Sequence, residues 1–93
     1  MKLNKGVVYI LQCADDKYYT GSTNQLDRRI REHNRGKCHT TKMRLPVKLV
    51  FTLELDTLLT ARKIERFIKK QKSRKYIDKI IKGKIDLALS SIG

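Results

Sequence analysis

Tyr19-Thr20-Gly21-Ser22-Thr23-Asn24-Gln25-Leu26-Asp27-Arg28-Arg29-Ile30-Arg31-Glu32-His33 changes its periodicity part-way along. Lys17 to Gly21 alternates, with Tyr19 on one face and Tyr18 and Thr20 on the other, which predicts a strand that Gly21 ends. Ser22, Thr23 and Asn24 can each cap a helix, and Asn24 has Asp27 three residues on, in the spacing of a capping box. The helix then runs to about Asn34 and Arg35, with Gly36 as its C-terminal stop. Leu26 and Ile30 form a thin apolar stripe, and Arg29 and His33, four apart, share a face at the edge of the core. Upstream, Val7, Tyr9, Leu11 and Cys13 alternate against Val8, Ile10 and Gln12, and Ala14-Asp15-Asp16-Lys17 is turn-like, so residues 7–13 and 17–21 read as a hairpin.

Downstream, residues 37–45 lack periodicity and read as a loop. Pro46 opens a third strand with Val47, Leu49, Phe51, Leu53 and Leu55 facing one way and Lys48, Val50, Thr52 and Glu54 the other. Asp56 and Thr57 are caps for a helix over residues 58–72. At about 100° per residue this helix carries Glu65 on its apolar arc, between Ala61 and Leu58 and one turn from Ile68. An inward carboxylate is costly unless it meets a cation, so Glu65 calls for a metal ion or a basic partner such as Arg29. Ser73 re-caps the chain for a last amphipathic helix through Tyr76, Ile77, Ile80 and Ile81 that ends at Gly83, and residues 85–93 read as a short, fraying helix. The order β-β-α-β-α-α is an α+β fold with a small three-stranded, largely antiparallel sheet that helices must cover on at least one face.

Ninety-three residues make one domain, 1–93, with a core of about 6–82 and a tail at 83–93. Twenty-two Lys and Arg against nine Asp and Glu give a net charge of +13. Eleven cations and two acids lie between Arg62 and Lys84, a local surplus of +9 that favours a phosphate-binding surface over a merely solvated helix face. Nucleic acid is the leading partner, DNA ahead of RNA. No apolar run is long enough to span a membrane and none resembles a secretory leader, so a cytoplasmic location is expected. Cys13 and Cys38 should then be reduced, and they lack zinc-ligand spacing with His33 and His39.

Tyr9 after Gly6-Val7-Val8, then Tyr19-Thr20-Gly21, then Arg29 and His33 in the next helix and Glu65 in the one after, resembles the GIY-YIG nuclease superfamily. The closest likeness is to its short UPF0213 type, itself similar to the nuclease domain of structure-specific endonucleases. The resemblance spans about residues 6–82 and implies a Mg²⁺-dependent (or other divalent-cation-dependent) endonuclease, with branched or damaged DNA as the expected substrate. It implies that Tyr9 acts as general base or positions the attacking water, and that Tyr19 supports the site by hydrogen bonding. It further implies that Arg29 holds the scissile phosphate, His33 assists proton transfer and Glu65 binds the cation. Phosphodiester hydrolysis needs such parts: a nucleophilic water, positive charge at the phosphoryl oxygens, and a proton route. His39 is a weaker candidate from a loop that carries a histidine in some members. Arg28, Lys69, Lys70, Lys72, Arg74 and Lys75 are the expected nucleic-acid contacts.

The pattern departs from the family in its first motif, Val-Val-Tyr with Gly6 one residue early, in Thr20, and in the absence of an asparagine after Glu65 that larger members carry. One further reading follows from this, a nucleic-acid-binding module with weak or no turnover. A third, from another class, is a protein-interaction domain docking through the Leu58, Ile64 and Phe67 face, with its charge serving only solubility.

Overall fold

The computed structural model describes residues 5–38 and 41–84. The element order is β1 (Gly6–Gln12), β2 (Tyr18–Thr23), α1 (Leu26–Asn34), a 3₁₀ turn at Lys42–Arg44, β3 (Lys48–Leu55), α2 (Leu58–Gln71) and α3 (Arg74–Ile81). The sheet is antiparallel throughout, in the order β2-β1-β3. The expected α+β fold, element order and sheet are all present. The expectation of a fraying tail helix at 85–93 lies outside the described residues.

Both faces of the sheet are covered. Val8 and Ile10 look toward α2 and α3 and form a core with Ala61, Ile64, Ile68 and Ile80. Tyr9, Leu11, Cys13 and Val47 look the other way, under Leu26 and Ile30 of α1 and Leu45 of the loop. The α2 face is tightly built, because a methyl group on Gly6 would stand 2.6 Å from the Thr57 carbonyl oxygen and the Leu58 Cα. Of the Leu58, Ile64 and Phe67 face, Ile64 is buried, while Leu58 and Phe67 are partly buried against the same core.

Four local expectations are corrected. Gly21 does not end β2, which continues to Thr23 with Gly21 paired to Tyr9. Asn24 does not cap α1: the cap is Gln25 with no side-chain bond, and the Thr23 hydroxyl accepts the Gln25 N–H at 3.0 Å instead. Cys13 leaves β1 to close the turn, donating its N–H to Lys17 O and accepting from Asp16 N. In β3, Lys48 and not Pro46 is the first residue, and the alternation is broken by a bulge. Ile10 faces Phe51 while Leu11 faces Leu49, so Val50 is the extra residue. Phe51, Leu53 and Leu55 keep the α2–α3 core, Val50 joins them, and Leu49 moves to the opposite face, where it is 40 % exposed.

The helix ends follow the expected chemistry more closely. Thr57 and Ser73 accept the N–H groups of Thr60 and Tyr76 at the starts of α2 and α3. Gly36, at φ +74°, and Lys37 return their N–H groups to His33 O and Glu32 O, a Schellman closure that turns the chain back toward the 3₁₀ turn.

Candidate active site

Tyr9 and Tyr19 lie on the α1 face of the sheet, one on the central strand and one on the edge strand, with ring centroids 6.4 Å apart. His33, from the last turn of α1, closes the cluster edge-on, 5.0 Å from Tyr19 and 5.9 Å from Tyr9. Tyr9 is 1 % exposed and His33 is fully buried. The Tyr9 hydroxyl stands 3.2 Å from His33 Nε2, and His33 Nδ1 stands 2.8 Å from the hydroxyl of Thr41, which is also fully buried. A chain of hydrogen bonds therefore runs from the loop through the imidazole to the phenol.

Burial sets the protonation of this cluster. It pushes the Tyr9 phenol above its ordinary value despite the opposing charge of Arg29, and Tyr19 is pushed up to about 12, by burial first and then by the neighbouring Tyr9. Burial, followed by the positive charge of Arg29, holds the His33 imidazole below its usual value, so the ring is neutral at pH 7. Its place at a helix C-terminus would favour the cation, but burial outweighs the dipole. Arg29 is held firmly cationic by Tyr9 first and by Glu32. Its Nη1 donates to Glu32 Oε1 at 3.0 Å, while Nη2 points at the Cys38 sulfur, 3.9 Å away.

The acidic member comes from the other face of the sheet. Glu65, on α2, receives a short hydrogen bond from the Ser22 hydroxyl and pairs with Lys69 Nζ at 2.6 Å; its side chain is 21 % exposed. The expected partner Arg29 is engaged by Glu32 instead. Gly21 has no side chain, which leaves room for the Tyr9 ring over β2: a methyl group there would sit 2.5 Å from the Tyr9 hydroxyl oxygen. Glu65 acts on Tyr9 through its charge, and Lys69 Nζ lies 5.8 Å from the centre of the Tyr19 ring.

A family model described as the GIY-YIG catalytic domain matches residues 5–77. The chain belongs to the GIY-YIG family. Among curated relatives it is similar to a UPF0213 protein of Syntrophus aciditrophicus, 46 % identical over 70 residues that cover 73 % of this chain and 80 % of the relative. It is also similar to the UPF0213 protein YazA of Bacillus subtilis, 37 % identical over 76 residues covering 81 % and 77 %. A solution NMR structure of a UPF0213 protein from Bacillus halodurans superposes with a TM-score of 0.57 at 36 % identity, covering 86 % of this chain and 85 % of that one.

Within this GIY-YIG domain, Tyr9, Tyr19, Arg29 and His33 come together on one face and Glu65 stands across the strand edge. His39 lies outside the described residues. The expected nucleic-acid contacts divide. Lys69 and Lys72 line a cleft of about 330 Å³ beside Tyr19, and Arg74 lines its continuation. Lys70 lines a different hollow with Phe67, and Arg28 pairs with Glu32 beyond α1. Lys75 lines neither part of the Tyr19 cleft. Three contributors escape the sequence reading. Thr41 orients His33, yet its signal is only its place in the Cys38-His39-Thr40-Thr41 loop. Ser22 reads as a helix cap but serves Glu65 from the strand, and Gly21 reads as a terminator but leaves room for the Tyr9 ring.

Among the described residues no group of three His, Cys, Asp or Glu side chains gathers as a metal cage. Glu65 Oε1 and Oε2 and the Ser22 hydroxyl are nevertheless hard oxygen donors brought together. Such a set fits a small divalent cation that takes its remaining ligands from water and a phosphate.

Proposed function

We propose that this GIY-YIG domain is a divalent-cation-dependent endonuclease that hydrolyses phosphodiester bonds, with DNA of branched or damaged structure as its substrate. The observation that carries the reading is the buried Tyr9 hydroxyl, held by His33 and lying over Gly21 of β2, the strand whose next residue, Ser22, bonds Glu65. Tyr9 is neutral at pH 7 and is a weak base alone. His33 answers this. With its proton on Nδ1, directed at Thr41, its Nε2 accepts from Tyr9, so the phenol passes a proton to the imidazole as it takes one from the attacking water. Arg29 meets the phosphoryl oxygens, where charge accumulates, and stabilises the phenolate character developing on Tyr9. A cation held by Glu65 and Ser22 would supply Lewis-acid stabilisation of the phosphoryl oxygens. Binding of a cation at Glu65 would compete with the Lys69 ammonium, which would then be free to pair with a phosphate oxygen.

The Lys69–Glu65 pair at 2.6 Å also favours the second reading, a domain that binds nucleic acid but turns over weakly because its carboxylate is already satisfied. Single-stranded, duplex, flap and branched DNA incubated with and without Mg²⁺ separates the two. The nuclease reading expects Mg²⁺-dependent cutting that Glu65→Gln abolishes, with metal-free binding nearly unchanged. Binding without cutting on every substrate leaves the second reading, and cutting by Glu65→Gln at the parent rate removes the metal assignment.

A further inference from the structure

Lys72 closes α2 in the left-handed region, at φ +48° and ψ +40°, without being a glycine. Glycine takes this conformation without strain, and the lysine does not. Two residues on, Arg74 and Lys75 open α3, whose first turn carries no acidic residue, although the start of a helix favours negative charge and repels positive. Two locally unfavourable choices thus stand side by side at the α2–α3 junction, and both add cations. Conflicts of this kind concentrate where a ligand repays them.

The junction faces a groove. Its first part, beside Tyr19, is lined by Arg44, Lys69 and Lys72, and its second by Lys17, Lys72 and Arg74, with Tyr18 common to both. No aspartate or glutamate lines either part, although Arg44 pairs with Asp15 at 3.5 Å, Lys69 with Glu65, and the Tyr18 hydroxyl donates to Asp78 at 2.7 Å. Lys17, Lys72 and Arg74 make no ion pair with a carboxylate among the described residues. Arg44 arrives from the 3₁₀ turn and Lys17 from the β1–β2 turn, so four separate segments direct charge to one channel. Arg74 is fixed in place, its Nη1 donating to Asp16 O at 2.6 Å and its guanidinium 4.8 Å from the Tyr18 ring centre. Lys69 and Tyr19 belong both to this groove and to the Glu65–Tyr9 site, so the channel leaves the site directly.

We infer that this groove is a second phosphate subsite, which holds the sugar-phosphate backbone of the DNA strand running on from the scissile bond, with Lys72 at its centre and Lys17 and Arg44 as further contacts. The inference rests on the nuclease reading and adds to it the path of the strand. Its signature is an opposition between stability and binding, because Lys72→Gly relieves the backbone and removes the charge.

Fluorescence anisotropy with a fluorescein-labelled single-stranded oligothymidylate, titrated over a KCl series, measures binding, and thermal melting measures the fold. Lys72→Gly should melt at or above the parent temperature and bind several-fold more weakly, with a log–log salt slope shallower by about 0.7. Lys72→Asn, which tolerates the left-handed backbone, should lose binding equally, and Arg44→Gln should weaken it from the opposite wall. Unchanged affinity and slope in Lys72→Gly, or a lower melting temperature, would overturn the subsite while leaving the nuclease reading intact. A parent protein that binds no oligonucleotide overturns both.

Discussion

Tyr9 concentrates the chemistry and the structural cost in one oxygen. Tyr9→Phe keeps the ring in the core but leaves His33 Nε2, fully buried, without a partner, so the loss should be about 1–3 kcal/mol and not the smaller net worth of an average hydrogen bond. Cleavage should fall at least about a hundredfold at unchanged DNA affinity, as expected for a group that moves a proton. Single-turnover cleavage beside urea unfolding checks both. If the variant cuts within about threefold of the parent, Tyr9 is only a core aromatic. His33 adds a pH signature. Its folded-state pKa lies below the unfolded value of about 6.5, so the unfolded chain binds more protons between the two values, and stability is full above about pH 6.5 and declines as pH falls. Tyr9, Tyr19, Arg29, Glu32 and Thr41 stand around His33, and of these groups only His33 titrates in that window, Glu32 being held below its usual value by Arg29. The cleavage rate should drop on the same acid side, because the imidazole must be neutral to accept the proton. Urea midpoints across pH 5 to 8, compared with His33→Gln, test this, and an equally steep acid decline in His33→Gln would refute it.

Among the elements, the edge strand β2 decides whether a site exists. Its α1 face carries Tyr19 and Gly21, whose missing side chain leaves room for the Tyr9 ring, and its α2 face carries Ser22, which bonds Glu65. Gly21→Ala would place a methyl group 2.5 Å from the Tyr9 oxygen and 2.6 Å from its Cζ, so the buried ring must tilt. Overpacking of this kind costs about 1–3 kcal/mol. Activity should fall further than stability, because the ring can repack while the hydroxyl no longer meets His33. Comparing the unfolding midpoint with the cleavage rate tests this, and full activity in a folded Gly21→Ala protein would show that this room is not needed. The β3 bulge acts similarly at a distance: the extra residue at Val50 swings Leu49 out and leaves Val47 to pack with Tyr9 and Leu11 beneath α1.

At the scale of the molecule, a net charge of +13 is distributed unevenly. Lys69, Lys72 and Arg74, with Lys17 and Arg44 of two turns, border the groove, while Glu32 takes both Arg28 and Arg29 of α1. Binding should therefore be electrostatic and little dependent on sequence. With roughly 4–6 phosphate contacts, the log–log slope of duplex affinity against salt should be about −4 to −5, and a slope near zero would refute nucleic-acid binding. No helix among the described residues is long and apolar enough to cross a membrane.

The strands, the helices and the helix stops were written in the sequence, because alternation, amphipathic period, Thr57, Ser73 and Gly36 act over a few residues. The ordered set of tyrosines, Arg29, His33 and Glu65 was legible for the same reason, as residue types at fixed separations. Tertiary structure alone decided what each of them touches. Ser22 and Gly21 look like punctuation until β2 is paired, and Asn24 loses its capping role because the strand runs past Gly21. Glu65 could have met Arg29 by charge, but the sheet stands between α1 and α2, so Lys69 on its own helix and Ser22 on the adjoining strand hold it instead. Thr41 carries no local signal of function, since it acts through burial against an imidazole eight residues away, and although Lys72 is legible as a cation, its left-handed backbone angle is set only by the meeting of two helices.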